Sequence, residues 1–96
     1  MNGDLAFAKA LASSLPSTSN VQTVVVPPAV YAHRLVELSE GTYEVGLQNV
    51  GRYESGAHTG EISAEMARDV GATVVLVGHS ERRAGHSEDD GAVAAK

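Results

Sequence analysis

Two stretches of this chain are too uniformly apolar to be half-exposed strands. Residues 21–26 (VQTVVV) are almost unbroken in β-branched side chains, and residues 73–77 (TVVLV) form a second continuous run. A strand that is apolar on both faces belongs in a buried parallel sheet, covered by helices above and below. The segments between them read as those helices. Residues 5–15 carry Phe7, Leu11 and Leu15 at i, i+4, i+8, with Ala8 and Ala12 beside them and Asp4 near the positive end of the helix dipole. After a polar break at residues 16–20 and the first strand, Pro27-Pro28 ends that strand. A second helix over 29–38 places Tyr31, Leu35 and Leu38 on one face, with Gly41 closing it.

Residues 43–49 read as a further strand ending in polar Gln48-Asn49, and residues 50–59 as a long polar loop, a length that in compact domains tends to carry function. Ser63 is placed to cap a short helix with Glu65 in its first turn and Ile62, Met66 and Val70 on one face, ended by Gly71. Ser87 is expected to cap a last helix with Glu88, Asp89 and Asp90 in its first turn. The order α, β, α, β, loop, α, β, α implies right-handed crossovers and a parallel α/β sheet. Three such strands leave two bare edges, so we expect residues 1–96 to be a single partial domain of a larger α/β protein, incomplete at both ends.

Composition narrows the function. With one Phe, three Tyr and no Trp, the core must be aliphatic. A net charge of −5, with Arg82-Arg83 as the one adjacent basic pair, argues against a nucleic-acid partner, whose phosphates need clustered Lys and Arg. No cysteine is present for disulfide or thiolate chemistry. No apolar run reaches the ~18 residues of a membrane span, so no membrane association is expected, and the expected location is cytoplasmic.

In α/β folds function gathers at the carboxyl ends of the strands, here Val26-Pro27, Gln48-Asn49 and Gly78-His79-Ser80-Glu81. The last group is the richest. His79 can exchange a proton near neutral pH, although a lone histidine after a strand is as readily a surface residue. Glu81 could be a general acid or base, or could simply pair with Arg82 or Arg83. Gly78-His79-Ser80-Glu81-Arg82 partly mimics a G-x-S-x-G nucleophile elbow, but Arg stands where the second Gly should allow close helix packing. A metal site from His79, His86, Asp89 and Asp90 lacks ligand spacing. His33 falls at an exposed helix position and His58 in the long loop, neither with a specific signal. No G-x-G-x-x-G or Walker pattern supports a phosphate-binding module of another kind.

Gly78-His79-Ser80-Glu81-Arg82-Arg83 at the end of an apolar strand resembles the signature of the triosephosphate isomerase family. Further motifs agree in order and spacing along the whole chain. Met1-Asn2-Gly3 resembles the end of that family's N-W-K-M-N-G segment. Val26-Pro27-Pro28 and Tyr31 resemble its second strand–helix unit, and Gln48-Asn49-Val50 the polar end of its third strand. Residues 56–63 (GAHTGEIS) resemble its long third loop.

The resemblance implies a partial (β/α)₈ barrel, from the first helix to the start of the fourth. It implies interconversion of dihydroxyacetone phosphate and D-glyceraldehyde 3-phosphate through an enediolate, in glycolysis and gluconeogenesis, without cofactor or metal. His79 matches the electrophile, Ser80 and Glu81 its supporting shell, and Asn2 the substrate vicinity. Gln48, Asn49, Thr59, Glu61 and Arg82 match a homodimer interface, with Thr59 reaching the neighbouring active site and Glu61 and Arg82 paired across the dimer. The catalytic glutamate base, the closing loop and the phosphate-binding glycines have no match in these residues, so the isolated chain is expected to be inactive; the alternative is a non-catalytic chain that pairs with full-length subunits. The chain departs from the family at His58, where an aromatic is usual, and at Leu47, where a smaller residue is usual.

Overall fold

The computed structural model describes residues 3–16 and 20–96. Its elements are α1 (Leu5–Ser14), β1 (Val24–Val25), α2 (Ala29–Ser39), β2 (Glu44–Leu47), α3 (Ala64–Asp69), β3 (Val74–Val75), α4 (Ser80–Gly85) and α5 (Asp90–Ala95). The strands form one parallel sheet in the order β1-β2-β3, with Val24 opposite Glu44 and Gly46 opposite Val74. This is the architecture of a partial α/β barrel. Within it, α2 packs on β2 and α1 packs on α2.

The core is aliphatic, as the composition requires. Leu35 of α2 and Leu47 of β2 are its largest fully enclosed side chains, joined by Ala32, Tyr43, Val45 and Val50. Leu47, one of the two departures, therefore fills the centre of the core. Tyr43 keeps its hydroxyl satisfied by donating to the Leu35 carbonyl oxygen at 3.0 Å, and burial pushes that hydroxyl above the usual tyrosine range.

Four sequence expectations change. The outer strands are shorter than their apolar runs. Regular pairing covers two residues in each, while isolated backbone bonds continue it, from Glu44 N–H to Thr23 O and from Leu76 N–H to Leu47 O, both 2.9 Å. Burial on both faces holds only for β2, which lies between two neighbours; Leu76 and Val77 are more than two-fifths exposed. Helix faces are also rotated from the expected ones. Ala8, not Phe7, is the buried residue of α1, and Ala67, not Met66, that of α3, as small side chains suit close packing, in α1 against α2. Finally, α4 is a full helical element that hydrophobic periodicity did not reveal, since it carries no apolar stripe.

The local termini follow the sequence more closely. Asp4 Oδ1 accepts from the Phe7 N–H at 2.8 Å and Ser63 Oγ from the Met66 N–H at 3.2 Å, capping α1 and α3. Two left-handed residues, Glu40 and Gly41, end α2. A Schellman motif ends α3: the Gly71 N–H donates to Arg68 O at 2.9 Å and the Ala72 N–H to Ala67 O at 3.0 Å, with Gly71 at φ +88°. A Cβ at Gly71 would lie 2.7 Å from Val36 Cγ1, whereas at Gly41, φ +80°, it would meet open space.

The two glycines separate strain from collision. Gly41→Ala is expected to cost about 1 kcal/mol, and Gly71→Ala about 2–3 kcal/mol because overpacking adds to the same backbone strain. Urea midpoints at unchanged m-value check this order; equal losses would refute the collision.

Candidate active site

The parallel register brings the carboxyl ends of all three strands to one rim. A cavity of about 590 Å³ opens there, lined by Val26 after β1, Gln48 and Asn49 after β2, and His79 after β3. Glu61, Glu81, Arg82 and His86 complete its polar wall. Gln48 closes part of the rim by donating from Nε2 to the Val26 carbonyl oxygen at 3.2 Å.

His79 is held by its position between strand and helix. Gly78, at φ +69°, turns the chain out of β3, and a Cβ there would meet Val93 Cγ1 at 3.0 Å. His79 then becomes the N-cap of α4. Its carbonyl oxygen accepts from the Arg82 and Arg83 N–H groups at 2.9 and 3.0 Å, and its Nδ1 accepts from the Glu81 N–H at 3.2 Å. An imidazole nitrogen that accepts carries no proton. The bond therefore selects the neutral tautomer with hydrogen on Nε2, the one ring donor left for a ligand. A cationic ring would aim an N–H at another N–H.

Glu81 lines the cavity and is exposed; Ser80 begins α4 and is exposed, outside the lining residues. The expected pairing of Glu81 with Arg82 or Arg83 gives way to other partners. Arg83 donates from Nε to the Gly78 carbonyl oxygen at 3.1 Å and pairs with Asp90 at 2.7 Å, while Arg82 Nε pairs with Glu88 at 2.7 Å. Thr59 is exposed in the loop and does not line the cavity. Asn2 lies outside the described residues.

The last helix is capped differently from the expectation. Asp89, not Ser87, is the N-cap, its Oδ1 accepting from the Ala92 N–H at 2.8 Å. Ser87 adopts a left-handed φ of 54°, and this turn carries Glu88 inward, away from the first helical turn. Glu88 is only 9% exposed. Its Oε1 accepts from both Arg82 and Lys96, and Lys96 Nζ also donates to Asn49 Oδ1 at 2.6 Å. A buried polar chain thus runs Asn49–Lys96–Glu88–Arg82, joining two lining residues of the cavity from behind. The sequence reading missed Glu88 and Lys96 because an acid in an acidic run and a lysine after a helix look solvated. Among the described residues, no group of three or more His, Asp or Glu side chains is arranged to hold a metal ion, and His79, His86, Asp89 and Asp90 do not form one.

A family model described as triosephosphate isomerase matches residues 1–96. The chain belongs to the triosephosphate isomerase family. It is 46% identical to the triosephosphate isomerase of Marinobacter nauticus and 48% identical to that of Delftia acidovorans, each alignment covering all of this chain and 40% and 41% of the relative. Against that of Hyphomonas neptunium the identity is 43%, over all of this chain and 41% of the relative. The chain thus spans about two fifths of the length of the curated relatives it matches.

The Glu88 carboxyl is held below the usual carboxylate range, first by the hydrogen bond from Lys96 and then by that from Arg82, against an opposing effect of burial. A folded-state value below the ordinary 4.5 contributes stability that is present above that value and lost as pH falls through the lower, folded one. We expect the urea midpoint to fall with acid below about pH 4.5. Glu88→Gln should lower the midpoint at neutral pH, where it leaves Lys96 without its counter-charge, and should flatten the acid limb. A variant whose acid limb matches the parent's would refute this assignment.

Proposed function

We propose that this chain supplies the electrophilic half of a triosephosphate isomerase site, which interconverts dihydroxyacetone phosphate and D-glyceraldehyde 3-phosphate in cytoplasmic glycolysis and gluconeogenesis. The observation that carries the proposal is the Glu81 N–H bond to His79 Nδ1, which leaves Nε2 as the free ring donor of a residue that lines the cavity at the strand ends. This isomerase is itself the standard case of a neutral histidine electrophile acting beside a glutamate base.

The chemistry moves a proton between adjacent carbons while the carbonyl shifts from one to the other. Nε2–H of His79 hydrogen-bonds the substrate carbonyl oxygen and stabilises negative charge as it develops on the enediolate oxygens. A neutral donor suits this step, and the cap bond orients it before substrate arrives. Ser80 and Glu81 support the ring. Removal of the carbon-bound proton falls to a glutamate base that these 96 residues do not provide. Gln48, Asn49, Thr59 and Glu61, in the segment that follows β2, and Arg82 of α4 meet a second copy in a homodimer.

Two measurements test this reading. In the full natural polypeptide that carries these residues, His79→Gln is expected to lower turnover by roughly three powers of ten while the urea midpoint stays near the parent's. An unchanged rate would remove His79 from the chemistry. The 96-residue chain alone is expected to show no turnover above buffer; activity that His79→Ala abolishes would place a base within it.

A further inference from the structure

We propose that Lys96 is a positioning residue of the isomerase site, holding α4, and with it the turn that carries His79, to the end of β2; the inference rests on the reading that His79 is the electrophile.

Apolar packing does not fix α4. Neither α4 nor α5 buries a residue. Between residues 73 and 96 the only buried residue is Glu88, so a carboxylate occupies the place of a core side chain. Lys96 goes in with it, its side chain 6% exposed. Directed polar bonds here take over the task that packing performs for α2, and a buried network of this kind specifies one arrangement.

The bonds lead from Lys96 to the histidine. Lys96 Nζ donates to Asn49 Oδ1 at 2.6 Å and to Glu88 Oε1. The same Glu88 oxygen accepts from Arg82 Nε at 2.7 Å, and the Arg82 N–H donates to the His79 carbonyl oxygen at 2.9 Å. Arg83 with Asp90, and Val93 lying against Gly78, hold α4 and α5 to each other. Lys96 carries that pair across to β2. An ammonium has no acceptor, so both oxygens must turn toward it, and the Asn49 carboxamide is set with Nδ2 pointing away. Without Lys96, Glu88 would keep Arg82 as its one partner and lose its tie to the sheet. A displacement of about 1 Å at a reacting group can cost roughly a hundredfold in rate.

The test uses the full natural polypeptide and compares Lys96→Met with the double variant Lys96→Met/Glu88→Gln. The single variant strands a buried carboxylate and should lose both stability and turnover. The double variant removes that charge, so its urea midpoint should recover toward the parent's. Its kcat is expected to stay roughly tenfold to a hundredfold low with KM near the parent's, because the lost interaction serves the transition state. Recovery of kcat together with the midpoint would overturn the inference, leaving Lys96 a purely stabilising role. A rate per chain that returns to the parent's at high protein concentration would trace the loss to pairing and overturn it too. Full turnover in Lys96→Met beside an impaired His79→Gln would overturn this inference alone, whereas full turnover in His79→Gln would overturn the electrophile reading and the inference with it.

Discussion

Everything functional in this chain depends on the parallel pairing of β2 with a neighbour on each side. Because all three strands run the same way, their carboxyl ends reach one rim, and residues 26, 48 and 79 become neighbours despite their separation in sequence. The register is set where β2 is most crowded. A Cβ on Gly46 would lie 2.9 Å from the Val74 carbonyl oxygen, so glycine is what allows β3 to approach this closely. On either side of it, Val45 and Leu47 point to the same face of the sheet and are both buried, and a slip by one residue would turn them to the other face.

The rim gives His79 a position; α4 gives it a protonation pattern. A serine or aspartate at this N-cap would satisfy the same backbone N–H and serve the helix equally well. Histidine does so with one nitrogen and keeps the other free, so the cap bond and the orientation of the donor are a single feature. This is why the short helix matters although it buries no residue. It also explains why Arg83 is spent on the Gly78 carbonyl oxygen and Asp90: it fastens the turn that carries the histidine.

Much of this was legible in the sequence. The βα alternation, the caps at Asp4 and Ser63, and the strand-end position of His79 follow from residue type and spacing, and several short motifs in register pointed to the family that the comparisons bear out. What was not legible depends on contacts between distant residues. Periodicity could not distinguish Phe7 from Ala8 as the buried residue of α1, since both lie near the same stripe and the choice is made by how closely α1 approaches α2. Nor could it place Glu88: in Ser87-Glu88-Asp89-Asp90 any of the first three could begin a helix, and the answer turns on whether an arginine and a lysine wait inside. Lys96, 47 residues from Asn49, supplies that answer only in three dimensions.

The buried chain Asn49–Lys96–Glu88–Arg82 is a poor choice if stability alone is at stake. Taking a carboxylate and an ammonium out of water costs most of what their attraction returns, and apolar side chains of similar volume often do as well or better. Glu88 even leaves Oε2 buried without a hydrogen-bond partner. What the charged arrangement offers instead is direction. Leucine and methionine would fill the space in several rotamers, whereas two cations converging on one oxygen fix the approach of each. Arg82 and Asn49 are the groups so fixed, and both face the cavity that holds His79. The arrangement sacrifices cohesive energy behind the site for geometry within it, which is the exchange expected where a wall must hold polar groups still.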